Sequence, residues 1–150
     1  MKKLLLSIAV VAALGTFASC SKDDSGPSNV FTAEIDGDDF TADEIEGIFW
    51  ADDEDVDVVG YTDDEDGFVI TFNTDDVEEG ETYDLEDLDI FIVYYDDDGN
   101  GFYPVTGEMH VTKLTDTRFE ATFEFDGEDF SGEEIEVKDG VVKADLEVED

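Results

Sequence analysis

Basic side chains are almost missing from this chain: Lys and Arg number 7 against 45 Asp and Glu, for a formal net charge of −38. Nucleic-acid binding needs a basic surface that releases counterions, so that class of function is excluded. Anionic headgroups and phosphorylated ligands are disfavoured on the same ground, which leaves cations and basic partners. Cysteine occurs once, at Cys20, so no intramolecular disulfide can form. Histidine occurs once, at His110, and a zinc site would need further His or Cys ligands. After residue 29 the one serine is Ser131, and no nucleophile motif surrounds it or His110. The neighbours Met109 and Val111 put His110 on the polar face of a strand.

One long apolar run is present, at residues 4–17. Lys2 and Lys3 precede it and the small pair Ala18-Ser19 follows, the layout of a secretory signal. As a helix the run would extend roughly 21 Å, short of the ~30 Å of a bilayer core. Phe17-Ala18-Ser19-Cys20 resembles a bacterial lipobox, with Phe17 where leucine is usual. That resemblance implies a lipoprotein signal peptide at 1–19, removed on maturation, and thioether lipidation of Cys20. Several acyl chains, at ~0.8 kcal/mol per buried methylene, would anchor the chain firmly in a membrane. Ser21-Lys22-Asp23-Asp24 resembles the export signal of Bacteroidota lipoproteins. It implies an outer-membrane anchor with display at the cell surface, the periplasmic face being the alternative. Residues 20–29 then comprise the lipidated cysteine and a flexible tether containing Gly26-Pro27, and 30–150 form one acidic domain.

High net charge can signal disorder. Here, however, 41% of residues are hydrophobic and 12 are phenylalanine, which implies a packed core beneath an acidic shell. A domain of this size buries roughly two-thirds of its unfolded surface and needs no metal or disulfide to fold. The shell repels itself, and the screening length falls from about 10 Å at 0.1 M salt to about 3 Å at 1 M. Adaptation to high salt is therefore expected, as in a halophilic or marine bacterium.

From Val30 onward apolar and polar residues alternate with a period of two. Phe31, Ala33 and Ile35 share one face, as do Phe68, Ile70 and Phe72. So do Phe119, Ala121, Phe123 and Phe125, and then Val142, Ala144, Leu146 and Val148. Half-buried strands produce this pattern. Residues 88–95 are apolar on both faces, which marks a central or covered strand, and Ile48-Phe49-Trp50 reads the same way. Asp-Gly pairs at 36–37, 66–67, 98–99, 126–127 and 139–140 are hairpin-turn signals. Helix is limited to single turns near 43–46 and 75–79. The fold expected is all-β, an antiparallel sandwich built from sequential hairpins, with a small up-and-down barrel as the alternative. Residues 32–46 also align without gaps on 122–136, with nine of fifteen positions identical. Equivalent hairpins, each with a bulge near Thr41 or Ser131, would explain that echo.

Two stretches carry a family resemblance. One is Phe31-Thr32-Ala33-Glu34-Ile35-Asp36-Gly37 with Phe40-Thr41-Ala42. The other is residues 119–142, including Ala121-Thr122-Phe123-Glu124-Phe125 and the segment from Ile135 to Val142. They resemble a family of small, uncharacterised Bacteroidota lipoproteins. The resemblance implies an extracytoplasmic β-domain of unknown function, with no catalytic residues to carry over. Residues 47–107 are more acidic than that family leads one to expect.

The site with the most specific spacing is Asp96-Asp97-Asp98-Gly99-Asn100-Gly101. Asp96, Asp98 and Asn100 take the first, third and fifth places of a calcium loop and Gly101 the sixth. The twelfth place, however, is Gly107 rather than a bidentate Glu, and a solvated hairpin tip explains the stretch as well. Tyr94, Tyr95, Phe102 and Tyr103 flank that tip and are candidates for a ligand patch, core packing being their default role. The acidic runs 52–55 and 63–66, and Asp75 with Glu78 and Glu79, read as a solvated surface able to hold divalent cations weakly. A carboxylate-pair hydrolase has no specific support where so many acids exist. The reading is a non-enzymatic, membrane-anchored binding or structural domain, needing no cofactor unless calcium occupies the tip.

Overall fold

The computed structural model describes residues 28–150. The leader, Cys20 and all of the tether but its last two residues lie outside that range. Eleven strands follow in order: β1 (Val30–Ile35), β2 (Asp38–Thr41), β3 (Glu44–Trp50), β4 (Asp55–Tyr61), β5 (Gly67–Asn73), β6 (Thr82–Asp84), β7 (Ile90–Tyr95), β8 (Gly101–Thr115), β9 (Arg118–Glu128), β10 (Glu134–Asp145) and β11 (Glu147–Glu149). No helix occurs among the described residues. The segments 43–46 and 75–79 are strand and turn instead.

The strands pair in the path β11-β3-β4-β5-β7-β8-β9-β10-β1-β2, with β6 beside β8. This is one sheet curled into a sandwich. β8 makes the fold-over: its first residues pair with β7, and its remainder pairs with β9. The chain crosses between the halves again at Leu146, where β10 gives way to β11. β11 then lies parallel to β3, a departure from the purely antiparallel expectation. Alternation explains the core directly. Phe31, Ala33, Phe68, Ile70, Phe72, Phe119, Ala121, Phe123, Phe125, Val142, Ala144 and Leu146 are all buried. Rings from the two halves meet, with Phe31 stacked on Phe68 at 5.3 Å and Phe72 against Phe119 at 4.9 Å.

The two-faced stretch is β7, which lies between β5 and β8 as a central strand. It begins at Ile90, not at Leu88, which stands 89% exposed in the preceding turn. Val93, on the outer face, is fully buried, so the second side is covered there.

The Asp-Gly pairs do not all serve as turns. Asp36-Gly37 is a two-residue hairpin turn with φ of 52° and 90°. Asp98-Gly99 lies within the turn at 96–100, and Asp66-Gly67 closes the one at 62–66. Asp139-Gly140 forms a bulge in β10, where the register with β9 shifts. Asp126-Gly127, by contrast, is mid-strand in β9, paired on both sides. The echo between 32–46 and 122–136 is therefore not a structural repeat. Its first copy turns at Asp36-Gly37, whereas its second runs straight on and turns at 129–133. Phe40 is core, while its counterpart Phe130 is exposed. The parity change after Phe40 comes from the crossing into the other half of the sheet, not from a bulge at Thr41.

The turns at 62–66, 96–100 and 129–133 share one geometry. In each, the first residue's N–H donates to the fifth residue's carbonyl, and the fourth residue's N–H donates back to the first. The fourth residue adopts positive φ: Gly99 at 81°, Gly132 at 87°, but Glu65 at 70°. A side chain there costs about 1 kcal/mol or more. Glu65→Gly should therefore raise stability by about 0.5–1 kcal/mol in urea unfolding, and Gly132→Ala should lower it by a similar amount.

Candidate functional site

In an up-and-down meander every second turn falls at the same end, which gathers the turns at 62–66, 96–100 and 129–133 at one mouth of the sandwich. The 36–37 turn joins them because β1 pairs antiparallel with β10, Ile35 opposite Val137, and the Glu136 N–H donates to Asp36 Oδ1 at 2.8 Å. Between them lies an open cleft of about 680 Å³. Its floor is apolar, with Phe40, Tyr94, Phe102, Ile35 and Ile135. Its rim carries carboxylates from every turn, among them Asp38, Asp39, Asp64, Asp66, Asp96 and Glu133. Among the described residues no lysine or arginine lines it.

The sequence-derived ligand residues divide between two faces. Tyr94 and Phe102 point inward and pair across β7 and β8, reaching the cleft floor. Tyr95 and Tyr103 point outward, away from the cleft. Consecutive strand residues face opposite ways, so the four cannot form one patch. The Tyr94 hydroxyl donates to Asp66 Oδ2 at 3.3 Å. Burial, then the Asp66 charge and this bond, push the Tyr94 phenol well above its ordinary pKa. Thr62 Oγ1 donates to the other Asp66 oxygen. Asp66 is thus tied down between a phenol and a hydroxyl, while Asp38 and Asp39 are exposed on the rim.

At the 96–100 tip, Asp96 brings Asn100 and the backbone of Asp98 together, but around itself. Asp96 Oδ1 accepts the N–H groups of Asp98 at 3.1 Å and Asn100 at 2.7 Å, and Oδ2 accepts the Asn100 side-chain amide at 2.8 Å. Desolvation pushes the Asp96 carboxyl up, yet the donations by Asn100, Asp98 and Gly99 outweigh it and hold it below its ordinary pKa. Asp96 therefore acts as the internal cap of its own turn. Among the described residues no group of three His, Cys, Asp or Glu is arranged to hold a metal ion.

Asp129 does the same at the neighbouring turn. Its Oδ1 accepts the N–H groups of Ser131 and Glu133, each at 2.8 Å, and the Ser131 hydroxyl at 2.8 Å. The Glu133 N–H and then the Ser131 hydroxyl hold this carboxyl below its ordinary pKa. A depressed carboxylate adds stability that is present above its unfolded pKa and lost as pH falls through the folded one. The Tm gap between the native chain and Asp129→Ala should accordingly be present at pH 7 and close below about pH 3. Ser131 is thus a turn residue bound to Asp129. His110 faces outward on β8 with Nδ1 3.0 Å from Thr82 Oγ1, in keeping with a polar-face histidine.

The acid run 63–66 belongs to the mouth, while 52–55 and 75–79 lie at the opposite end, beyond β3 and β5. Asp36, Asp38, Asp39, Phe40 and Glu133 were not singled out by spacing. The pairing of β1 with β10 brings them to the mouth, Ile35 opposite Val137, and no local sequence signal marks a contact between residues a hundred positions apart.

At the far end, Asn29 Oδ1 accepts from Arg118 Nη1 at 3.2 Å and from the Asp145 N–H at 2.9 Å. Arg118 is buried, paired with Glu120 and Asp145 at 2.9 Å each. This cluster fixes where Asn29 enters the domain, a strand's length from the mouth. Compared with known proteins, the chain matches no family model, no curated protein and no solved structure.

Proposed function

We propose that this chain is a lipid-anchored, non-enzymatic binding module that presents an acidic cleft to cationic ligands. The observation that carries this reading is the cleft itself: an aromatic floor and a carboxylate rim, with no lysine or arginine among the described residues that line it, at the end opposite Asn29. A tether running from Cys20 to Asn29 would hold the far pole toward the membrane and leave the mouth facing solvent. The leader and the Ser21-Lys22-Asp23-Asp24 stretch support an outer-membrane anchor displayed at the surface of a salt-adapted bacterium. The β1–β2 and β9–β10 hairpins carry the motifs that resemble small Bacteroidota lipoproteins, which is consistent with that placement.

Two measurements test the reading. Labelled fatty acid should incorporate into the native chain and not into Cys20→Ser; equal labelling removes the anchor. Calorimetric titration of spermine into the full chain in detergent should show binding that weakens about tenfold in Asp38→Asn/Asp39→Asn/Asp64→Asn. Equal affinity would remove the cleft. Calcium serves as the second probe, since a calcium module at Asp96, Asp98 and Asn100 requires a rise in Tm with calcium that Asp96→Asn abolishes.

A further inference from the structure

The outer face of β7 and β8 carries an aromatic strip that the cleft does not use. Phe91 is 41% exposed and Phe130 is 93% exposed. Tyr103 lies between them, its ring centroid 6.1 Å from Phe91 and 5.3 Å from Phe130. Phe130 does not hang on a loose loop, because Asp129 ties its turn down at Ser131 and Glu133. It buries nothing there, whereas Phe40, in the matching sequence context, is core. A rigid, solvent-facing phenylalanine continuous with two further rings is the mark of a contact surface.

The surroundings decide what that surface fits. Glu128 stands opposite Tyr103 in the β8–β9 ladder, and Asp129 and Glu133 belong to the turn that carries Phe130. Ring faces attract ammonium and guanidinium groups, and neighbouring carboxylates strengthen that pull. Anionic partners, and second copies of a chain at −38, are repelled. Glu133 also lines the cleft, so the strip runs on from the mouth. We infer that Phe91, Tyr103 and Phe130 form a docking strip for an arginine- or lysine-bearing segment of a protein partner, extending along β8 from the acidic mouth. This inference rests on the reading that the domain binds cationic partners.

Oligo-arginine and oligo-lysine peptides of equal charge test it, titrated against the full chain in detergent. Oligo-arginine should bind more tightly, because guanidinium stacks on rings better than ammonium does. Phe91→Ala/Tyr103→Ala/Phe130→Ala should weaken oligo-arginine about tenfold, erase its advantage and leave the salt dependence intact. Phe130→Ala alone, at a fully exposed position, should melt as the native chain does and show part of the loss. Unchanged oligo-arginine affinity in the triple variant and in Phe130→Ala would overturn the strip. So would a neutral glucan oligosaccharide that binds through these rings while peptide affinity stays constant. If Asp38→Asn/Asp39→Asn/Asp64→Asn loses the peptide and the aromatic variants do not, the cleft stands and the strip falls. The reverse pattern keeps the strip and removes the cleft.

Discussion

Phe68→Ala is expected to cost the domain about 4 kcal/mol, a large part of the 5–15 kcal/mol typical of a whole domain. Phe68 is fully buried on β5 and sits where the two halves of the sheet meet. Its ring stacks on Phe31 and meets the edges of Phe40, Phe123 and Phe125. Tyr94, on the cleft floor, leans on it at 5.0 Å. Removing the ring forfeits its transfer free energy and leaves a void that neighbouring aromatics, held by their own strands, cannot close. Aromatic pairs add about 0.5–1.5 kcal/mol each beyond area, so the loss belongs at the upper end for Phe→Ala. In thermal unfolding at high salt, Tm should fall on the order of 15 °C. Phe130→Ala should stay within about 0.5 kcal/mol of the native chain. Similar losses at the two positions would mean that the halves do not face each other as described. Because Tyr94 rests on Phe68, spermine affinity should fall as well.

The second large effect belongs to Arg118, the one charged side chain buried among the described residues. Its Nε donates to Glu120 and its Nη1 to Asp145 and Asn29, while Nη2 is buried without a partner. Arg118→Ala would strand Glu120, itself mostly buried, in a molecule already dense with negative charge. Breaking a buried pair from one side costs about 3–5 kcal/mol, and a loss near 3 is expected here because Asp145 is solvated. Replacing both partners, Arg118→Met with Glu120→Met, should recover most of it, since the unpaired charge disappears and Nη2 with it. A double variant no better than Arg118→Ala would show that the guanidinium acts through packing rather than pairing. The same cluster holds Asn29, so Arg118→Ala should also expose the 28–30 junction to proteolysis.

Much of this architecture was legible in the sequence, for a specific reason. Strands that bury one face must alternate, and the rows at Phe31, Phe68 and Phe119 do so, as does the row from Val142 to Leu146; Val148, beyond the crossing, is exposed. What composition hid was context. Asp126-Gly127 carries the same two residues as Asp36-Gly37, yet pairing with β8 and β10 overrides its turn preference. Local identity across 32–46 and 122–136 therefore did not translate into equal structure. The calcium spacing at 96–101 falls on a turn in which Asp96 accepts from the Asp98 and Asn100 N–H groups and from the Asn100 side-chain amide, an arrangement that spacing alone does not show. Adjacent aromatics at 94–95 and 102–103 looked like one cluster, and strand alternation sends half of each pair to opposite faces. The mouth was invisible to spacing rules because its carboxylates come from four separate turns. Arg118 lay beyond reach as well, since its partners Asn29 and Asp145 sit at opposite ends of the domain's sequence.

A tightly packed aromatic sandwich lies under a coat of carboxylates whose mutual repulsion salt must screen. Among the described residues only Arg118 and Lys138 form salt bridges, with Glu120, Asp145 and Glu136, so the coat has little internal neutralisation. The most direct test is Tm measured from about 0.1 to 2 M KCl, with sucrose as an uncharged control. Tm should rise on the order of 10 °C, most steeply where the screening length drops below the spacing of rim carboxylates, and by more than sucrose produces. A Tm that stays level or falls across that range would contradict it.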